Sequence, residues 1–216
     1  MNIKKIMMGI TLVCASFGTV FSIDGVGGGA VTVTNTGTLT ETTSESATAV
    51  GGNVTQVNVQ TNISTIKWQG FYGNIGGNIS LGIGTDNFYS FGAALFQTIY
   101  VTQGTNTDWV NLVAGNAADV DTTWNFGVAD DVDQAVDVFT GSSTFAGVAI
   151  VPSTNIGSFN MGILNNGTNS KSTTVFVADI ENPGIVGFDS NSFNYQIMVP
   201  VETTVAETYN FYVSLK

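Results

Sequence analysis

Trp68-Gln-Gly-Phe-Tyr-Gly-Asn-Ile-Gly-Gly-Asn-Ile-Ser-Leu81 is the stretch on which the fold turns. Read at period two, Phe71, Gly73, Ile75, Gly77, Ile79 and Leu81 share one face. Trp68, Gly70, Tyr72, Asn74, Gly76, Asn78 and Ser80 share the other. An apolar, small-residue face opposite an Asn-bearing one is the pattern of a half-buried strand. Phe71, Ile75 and Ile79 also stand at helical i, i+4 spacing. Glycines at 70, 73, 76, 77 and 82 decide against the helix, because each costs a helix interior about 0.8–1.0 kcal/mol relative to Ala. The stretch reads as the central core strand, with Gly73 and Gly77 marking close approach of another strand or a bulky ring, or a bend.

The rest of the chain agrees with an all-β reading. Thr, Asn, Gly, Val and Phe are abundant and long Ala/Leu/Glu/Lys runs are missing. At 216 residues and 43% hydrophobic content, one domain with a sizeable core is expected. Val54 to Val59, Ile63 to Trp68, Ala93 to Thr102, Gly147 to Val151, and Thr174 to Ile180 read as strands. Pro152 and Asn182-Pro183-Gly184 stop the last two. Leu95, Ile99 and Val101 are expected on one face, as are Tyr195, Ile197, Val199 and Val201, with Pro200 pointing outward. Tyr209 to Leu215 alternates cleanly, and only Asp119 to Asp137 suits a short helix. Many short strands divided by turn residues predict an antiparallel β-sandwich, jelly-roll or Ig-like, with an extended N-terminal arm.

Residues 1–22 have the form of a secretory signal peptide: Lys4 and Lys5, then an uncharged run from Ile6 to Phe21, with Val20 and Ser22 before a cut at Ile23. The run has 16 residues against the roughly 20 needed to span a bilayer. Cleavage removes the only cysteine, Cys14, and leaves 3 lysines against 16 acids, a formal charge of −13. Such a surface repels nucleic acid, whose phosphates need a basic partner, and favours cations. Residues 23–52 form a Gly/Thr-rich arm and 53–216 the sandwich domain. Within the arm, Val31 and Val33 alternate with Thr32 and Thr34 behind a glycine hinge that includes Gly25. The segment is either an edge strand or tail, or a strand donated to the sheet edge of a neighbouring copy.

Histidine is absent, so with Cys14 removed there is no catalytic triad, no thiolate nucleophile and no imidazole ligand for zinc. No enzymatic activity and no required cofactor are expected. Asp119, Asp121, Asp130, Asp131, Asp133 and Asp137 form the densest acidic region, which suits calcium or, alternatively, a solvated loop. Acceptor sequons begin at Asn53, Asn62, Asn78 and Asn166, Asn78 lying on the outward face of the first stretch. Trp68, Tyr72, Trp109 and Trp124 are candidates for stacking on sugars, with core packing as the alternative.

Residues 68–79 resemble a stretch of secreted archaeal surface proteins, as do Trp124-Asn-Phe with the Asp-rich loop, Gly187-Phe-Asp-Ser-Asn-Ser-Phe-Asn-Tyr-Gln and Phe211-Tyr-Val-Ser-Leu. The resemblance covers most of 68–216 and implies a β-rich extracellular protein, S-layer-associated or filament-forming. Archaeal filaments built from β-sandwich subunits joined by a donated N-terminal strand are similar in outline, with Gly25–Thr34 as the matching part. Sequence and resemblance together lead to a secreted structural subunit whose partners are other copies of itself, cell-surface glycans or an S-layer. The alternative is a carbohydrate- or calcium-binding adhesin.

Overall fold

The computed structural model describes residues 26–27, 29–61, 63–83, 85–93, 95–105, 109–127, 132, 141–145, 148–202 and 205–215. Its strands, in chain order, are β1 (Val26–Gly27), β2 (Trp68–Gly73), β3 (Asn78–Ile83), β4 (Asp86–Ala93), β5 (Phe96–Thr102), β6 (Val113–Ala114), β7 (Gly141–Phe145), β8 (Val148–Ile156), β9 (Phe159–Asn165), β10 (Thr174–Asp179), β11 (Ile185–Val186), β12 (Ser192–Phe193), β13 (Tyr195–Pro200) and β14 (Asn210–Leu215). An α-helix, α1, spans Ala117–Thr123, and short 3-10 helices cover Trp109–Asn111 and Phe188–Ser190. Every strand pairing is antiparallel, so the protein is all-β.

The main sheet runs β1-β14-β5-β10-β9-β8-β7, with β6 also pairing β9. Its middle strands are buried on both faces, which is why they read as nearly continuous apolar runs. On β10, Phe176 and Ala178 belong to one core and Val175 and Val177 to the other. The same division sends Ile99, Val101, Met161 and Ile163 one way and Tyr100 and Leu164 the other. Over the first face lies the β2–β13 pair, bringing Trp68, Ile197 and Val199, together with Val120 in the middle of α1 and Trp124 at its C-terminal cap. Asn116 caps α1 by accepting the Ala118 N–H at 3.0 Å, and Trp124 meets Phe176 edge-on at 6.0 Å. Over the second face sit Leu112, Phe145 and Trp109, whose ring wedges between Tyr100 and Tyr212 at 5.1 and 5.0 Å.

Several expectations need correction. The Trp68–Leu81 stretch is two strands in separate sheets. It breaks after Gly73, where Asn194 accepts the Ile75 N–H on its side-chain oxygen and donates its own N–H to the Gly73 carbonyl. Trp68, placed outward by alternation, is buried against Phe126 at 5.4 Å, while β3 is exposed throughout. The ring approach expected at the glycines is found: a Cβ on Gly77 would meet Phe96 at 3.1 Å, and one on Gly73 would touch Tyr195 at 3.6 Å. The strands expected at 54–59 and 63–67 do not form. Val54, Val57, Val59, Ile63 and Ile66 are exposed on irregular chain, since no sheet edge lies beside them to satisfy their backbone.

Leu95 is 61% exposed, because β5 begins one residue later. Pro152 does not end a strand. It stands inside β8 beside a register irregularity opposite Gly141 and Ser143, a position that asks no ladder N–H of it. Pro200 is buried at the end of β13, with its carbonyl accepting the Tyr209 hydroxyl, rather than facing outward. The closing strand β14 is covered to some degree on both sides, with Phe211 and Val213 in the first core and Tyr212 against the second. Within the 119–137 span expected to carry a short helix, α1 runs to Thr123 and Val132 is helical, while residues 128–131 and 133–140 lie outside the described residues.

Phe176, fully buried on the central strand, tests this two-faced core. Phe176→Ala should cost about 3–5 kcal/mol in urea unfolding, while Val54→Ala on the exposed arm should stay within about 0.5 kcal/mol. Equal losses would refute the placement of β10.

Candidate functional site

Two places in the fold combine unusual exposure with residues singled out in the sequence. The first is the outer edge of β14. β1 pairs with it at only Val26↔Val213 and Gly27↔Tyr212, so the remaining residues of that six-residue strand have no partner on this side among the described residues. Gly29 then takes φ +65°, a left-handed conformation that turns the chain out of extended geometry. Val31 and Val33 therefore do not continue the strand and are 61% and 75% exposed. Between the departing arm and the strand lies a groove of about 510 Å³ lined by Gly27, Gly29, Val31 and Tyr209 to Tyr212. Of the residues expected to carry polymerisation, Val31 lines this groove, Val33 stands just beyond it and Gly25 lies outside the described residues.

The second place is a cleft of about 580 Å³ over the outer surface of the β2–β13 pair, walled by the arm at Leu39 and by Tyr72, Phe188 and Met198. The Tyr72 ring lies 4.9 Å from Phe188 and 4.8 Å from Phe193. Gln196 fixes this corner by accepting the Phe188 N–H at 2.7 Å. The expected stacking platform is otherwise dismantled. Trp68 and Trp124 are core residues at 8% and 1% exposure, and Trp109 is packed between two tyrosines. A large indole is the most effective filler available to a thin sheet's core, so its presence does not mark a sugar site.

The acidic loop is only partly visible. Asp119 sits in the first turn of α1, and the Asp121 carboxylate accepts the Val132 N–H at 2.7 Å. Asp130, Asp131, Asp133 and Asp137 lie outside the described residues, and no group of three or more His, Cys, Asp or Glu converges among those described. Of the sequons, Asn53 and Asn78 are exposed, Asn166 is half-buried in the turn after β9 with its N–H bonded to Thr173, and Asn62 lies outside the described residues. The signal-peptide residues 1–22 lie outside as well. No helix among the described residues is long and apolar enough to cross a membrane.

Charge is organised at two points. Lys171 pairs with Glu202 and Glu207, and Glu207 also accepts from the Trp124 indole at 3.2 Å, which ties the β13–β14 connection beneath α1. Burial acts to lower Lys171, but the bonds and charges of the two glutamates outweigh it and leave the ammonium above its ordinary value. Glu202 is held below its own by the hydrogen bond and charge of Lys171. On the main sheet, Asn160 Nδ2 donates to both Ser143 and Asp179 at 3.0 and 3.1 Å. No family model, curated protein or solved structure matches the chain.

Burial pushes the Asp179 carboxyl above the usual carboxylate range; the Asn160 bond opposes this and Glu181 adds to it. A raised folded pKa means that ionisation costs more in the fold than in the unfolded chain. Stability therefore falls as pH climbs from the ordinary carboxylate range, about 4, through the raised value. Asp179→Asn should gain on the parent in urea midpoint as pH rises from about 3 to 7, and a constant difference would refute the assignment.

Proposed function

We propose that the protein is a secreted, non-catalytic structural subunit that assembles into an extracellular filament or surface layer by donating its N-terminal arm to the sheet edge of a neighbouring copy. The observation that carries this reading is that the arm lies on the outer edge of β14 at Val26 and Gly27 and turns away from it at Gly29. A sheet edge is a template for another chain, and natural monomers usually block such edges. Here the arm covers the edge at Val26 and Gly27, and Val31 and Val33 beyond the turn are left exposed. The same pairing made in a neighbour and extended through Val31 and Val33 would make a longer shared strand. The signal-peptide pattern, the absence of histidine and the resemblance to archaeal surface proteins support the same reading. The body is read as a sandwich of jelly-roll or Ig-like kind, supported by the β2–β13 layer packed over the main sheet. Deleting residues 23–34 should leave a folded body, by circular dichroism, that is monomeric in sedimentation and forms no filaments in negative stain. Polymerisation of the truncated chain would refute strand donation.

A second reading, a carbohydrate- or calcium-binding adhesin, is favoured by the Tyr72–Phe188 pair at the mouth of the 580 Å³ cleft. Aromatic faces at an open cleft are what sugar rings stack upon. Calcium would belong to the loop that begins at Asp119 and Asp121. Calorimetry against a glycan panel and calcium separates the readings. The structural subunit gives no sugar heat, whereas the adhesin gives heat that Tyr72→Ala reduces at least tenfold.

A further inference from the structure

β3 and β4 form a two-stranded sheet that joins no other described strand. Its register is Ile83↔Asp86, Gly82↔Asn87, Leu81↔Tyr89, Ser80↔Ser90, Ile79↔Gly92 and Asn78↔Ala93. The two irregularities leave Phe88 and Phe91 as extra residues on β4. With those set aside, the cross-strand pairs alternate strictly. One face takes Asn78, Ala93, Ser80, Ser90, Gly82 and Asn87; the other takes Ile79, Gly92, Leu81, Tyr89, Ile83 and, at the turn end, Asp86, with the Phe91 ring edge-on to Tyr89 at 5.0 Å. The bulges keep the apolar residues of both strands in phase, which an unpatterned loop would not require.

Among the described residues none covers that face. Exposure is 44% at Ile79, 56% at Leu81, 88% at Ile83, 59% at Tyr89 and 65% at Phe91. At 150–250 Å² per ring, Tyr89 and Phe91 alone leave about 250 Å² in water. The aliphatics bring the patch toward the roughly 800 Å² per partner of a stable protein interface, beyond what a monomer ordinarily exposes. An isolated hairpin is marginal in water, so its own stability also calls for a second layer.

We propose that the apolar face of the β3–β4 hairpin is an interface with a second copy of this chain, hairpin against hairpin about a two-fold axis near Leu81. Charge selects that occupant. The chain carries 16 acids against 5 lysines, so copies repel over most of their surface. Across residues 69–118 the only charged side chains are Asp86 and Asp108, so two hairpins meet with little like-charge cost. A two-fold contact centred near Leu81 places the apolar residues of the two patches together and sets the two Asp86 carboxylates, each at the turn end of its hairpin, toward opposite ends of the contact. Asn78 lies on the polar face, so a glycan there would leave the contact free. The interface uses none of the β14 edge and does not depend on strand donation.

The test is disulfide trapping in the full chain carrying Cys14→Ser. Leu81→Cys, at the middle of β3, should form a linked dimer at least tenfold faster than Val205→Cys, which is similarly exposed at 63%. Adding Phe91→Asp should remove that advantage, and both positions are exposed enough that folding, checked by circular dichroism, is preserved. Equal trapping rates overturn the proposal. So does flotation of the chain with phosphatidylcholine vesicles without trapping, which would make a lipid surface the partner.

Discussion

Burial of β5, β10 and β9 on both faces is the constraint from which the rest of the structure follows. A sheet whose central strands are apolar on both sides needs two covers, and here they come from distant parts of the chain. The first is β2–β13 with α1; the second is made by Trp109, Leu112 and Phe145. Each cover is small. Three tryptophans therefore go into packing, since one indole closes as much surface as two aliphatic side chains. The second core is also the more polar. Thr98, Tyr100 and Ser214 bring three buried hydroxyls together there; burial raises the Tyr100 phenol, and hydrogen bonds with Ser214 and Thr98 oppose the rise.

That constraint also explains which parts of the fold were legible in the sequence. Val175 to Ala178 and Ile99 to Val101 were readable because burial on both sides writes itself as an unbroken apolar run. The closing strand was placed correctly in the chain, but its strict alternation misled, since Tyr212 looked like a surface residue and instead packs on Trp109. From sequence, Pro152 reads as a strand stop and Pro200 as an outward-pointing residue. One sits at a bulge and the other at a strand end where its carbonyl serves Tyr209, and neither role is visible without the partner strand. The valines of 54–59 have strand propensity and no sheet to join, and propensity alone does not supply hydrogen-bond partners.

The candidate sites divide in the same way. Val31 is legible as part of a strand suited to another edge, but the edge itself, β14 with Val26 and Gly27 alongside it, appears only in the topology. Phe88, Tyr89 and Phe91 escaped period-two reading altogether, because two bulges shift the phase of Asp86–Ala93 and scatter its apolar residues across both parities. The signal lay in the excess of aromatic rings over what alternation explains. Tyr72 drew notice beside three tryptophans, and only the burial of those indoles separates it from them.

Charge then decides what the uncovered surfaces are good for. An acidic chain without arginine or histidine has few attractive contacts to offer a copy of itself, and among its described lysines Lys171 is already held by Glu202 and Glu207 while Lys67 lies over Phe126. Self-association, as proposed, would therefore rest on backbone hydrogen bonds and apolar area, which salt does not screen. The fold offers both in regions with little charge: the outer backbone edge of β14 and an apolar face on β3–β4. A strand exchanged at one and a two-fold contact at the other are geometrically different operations. The first is head-to-tail and propagates, whereas the second closes on itself. Combined, they would link propagating rows in pairs, so a surface that repels on average can still build an extended assembly.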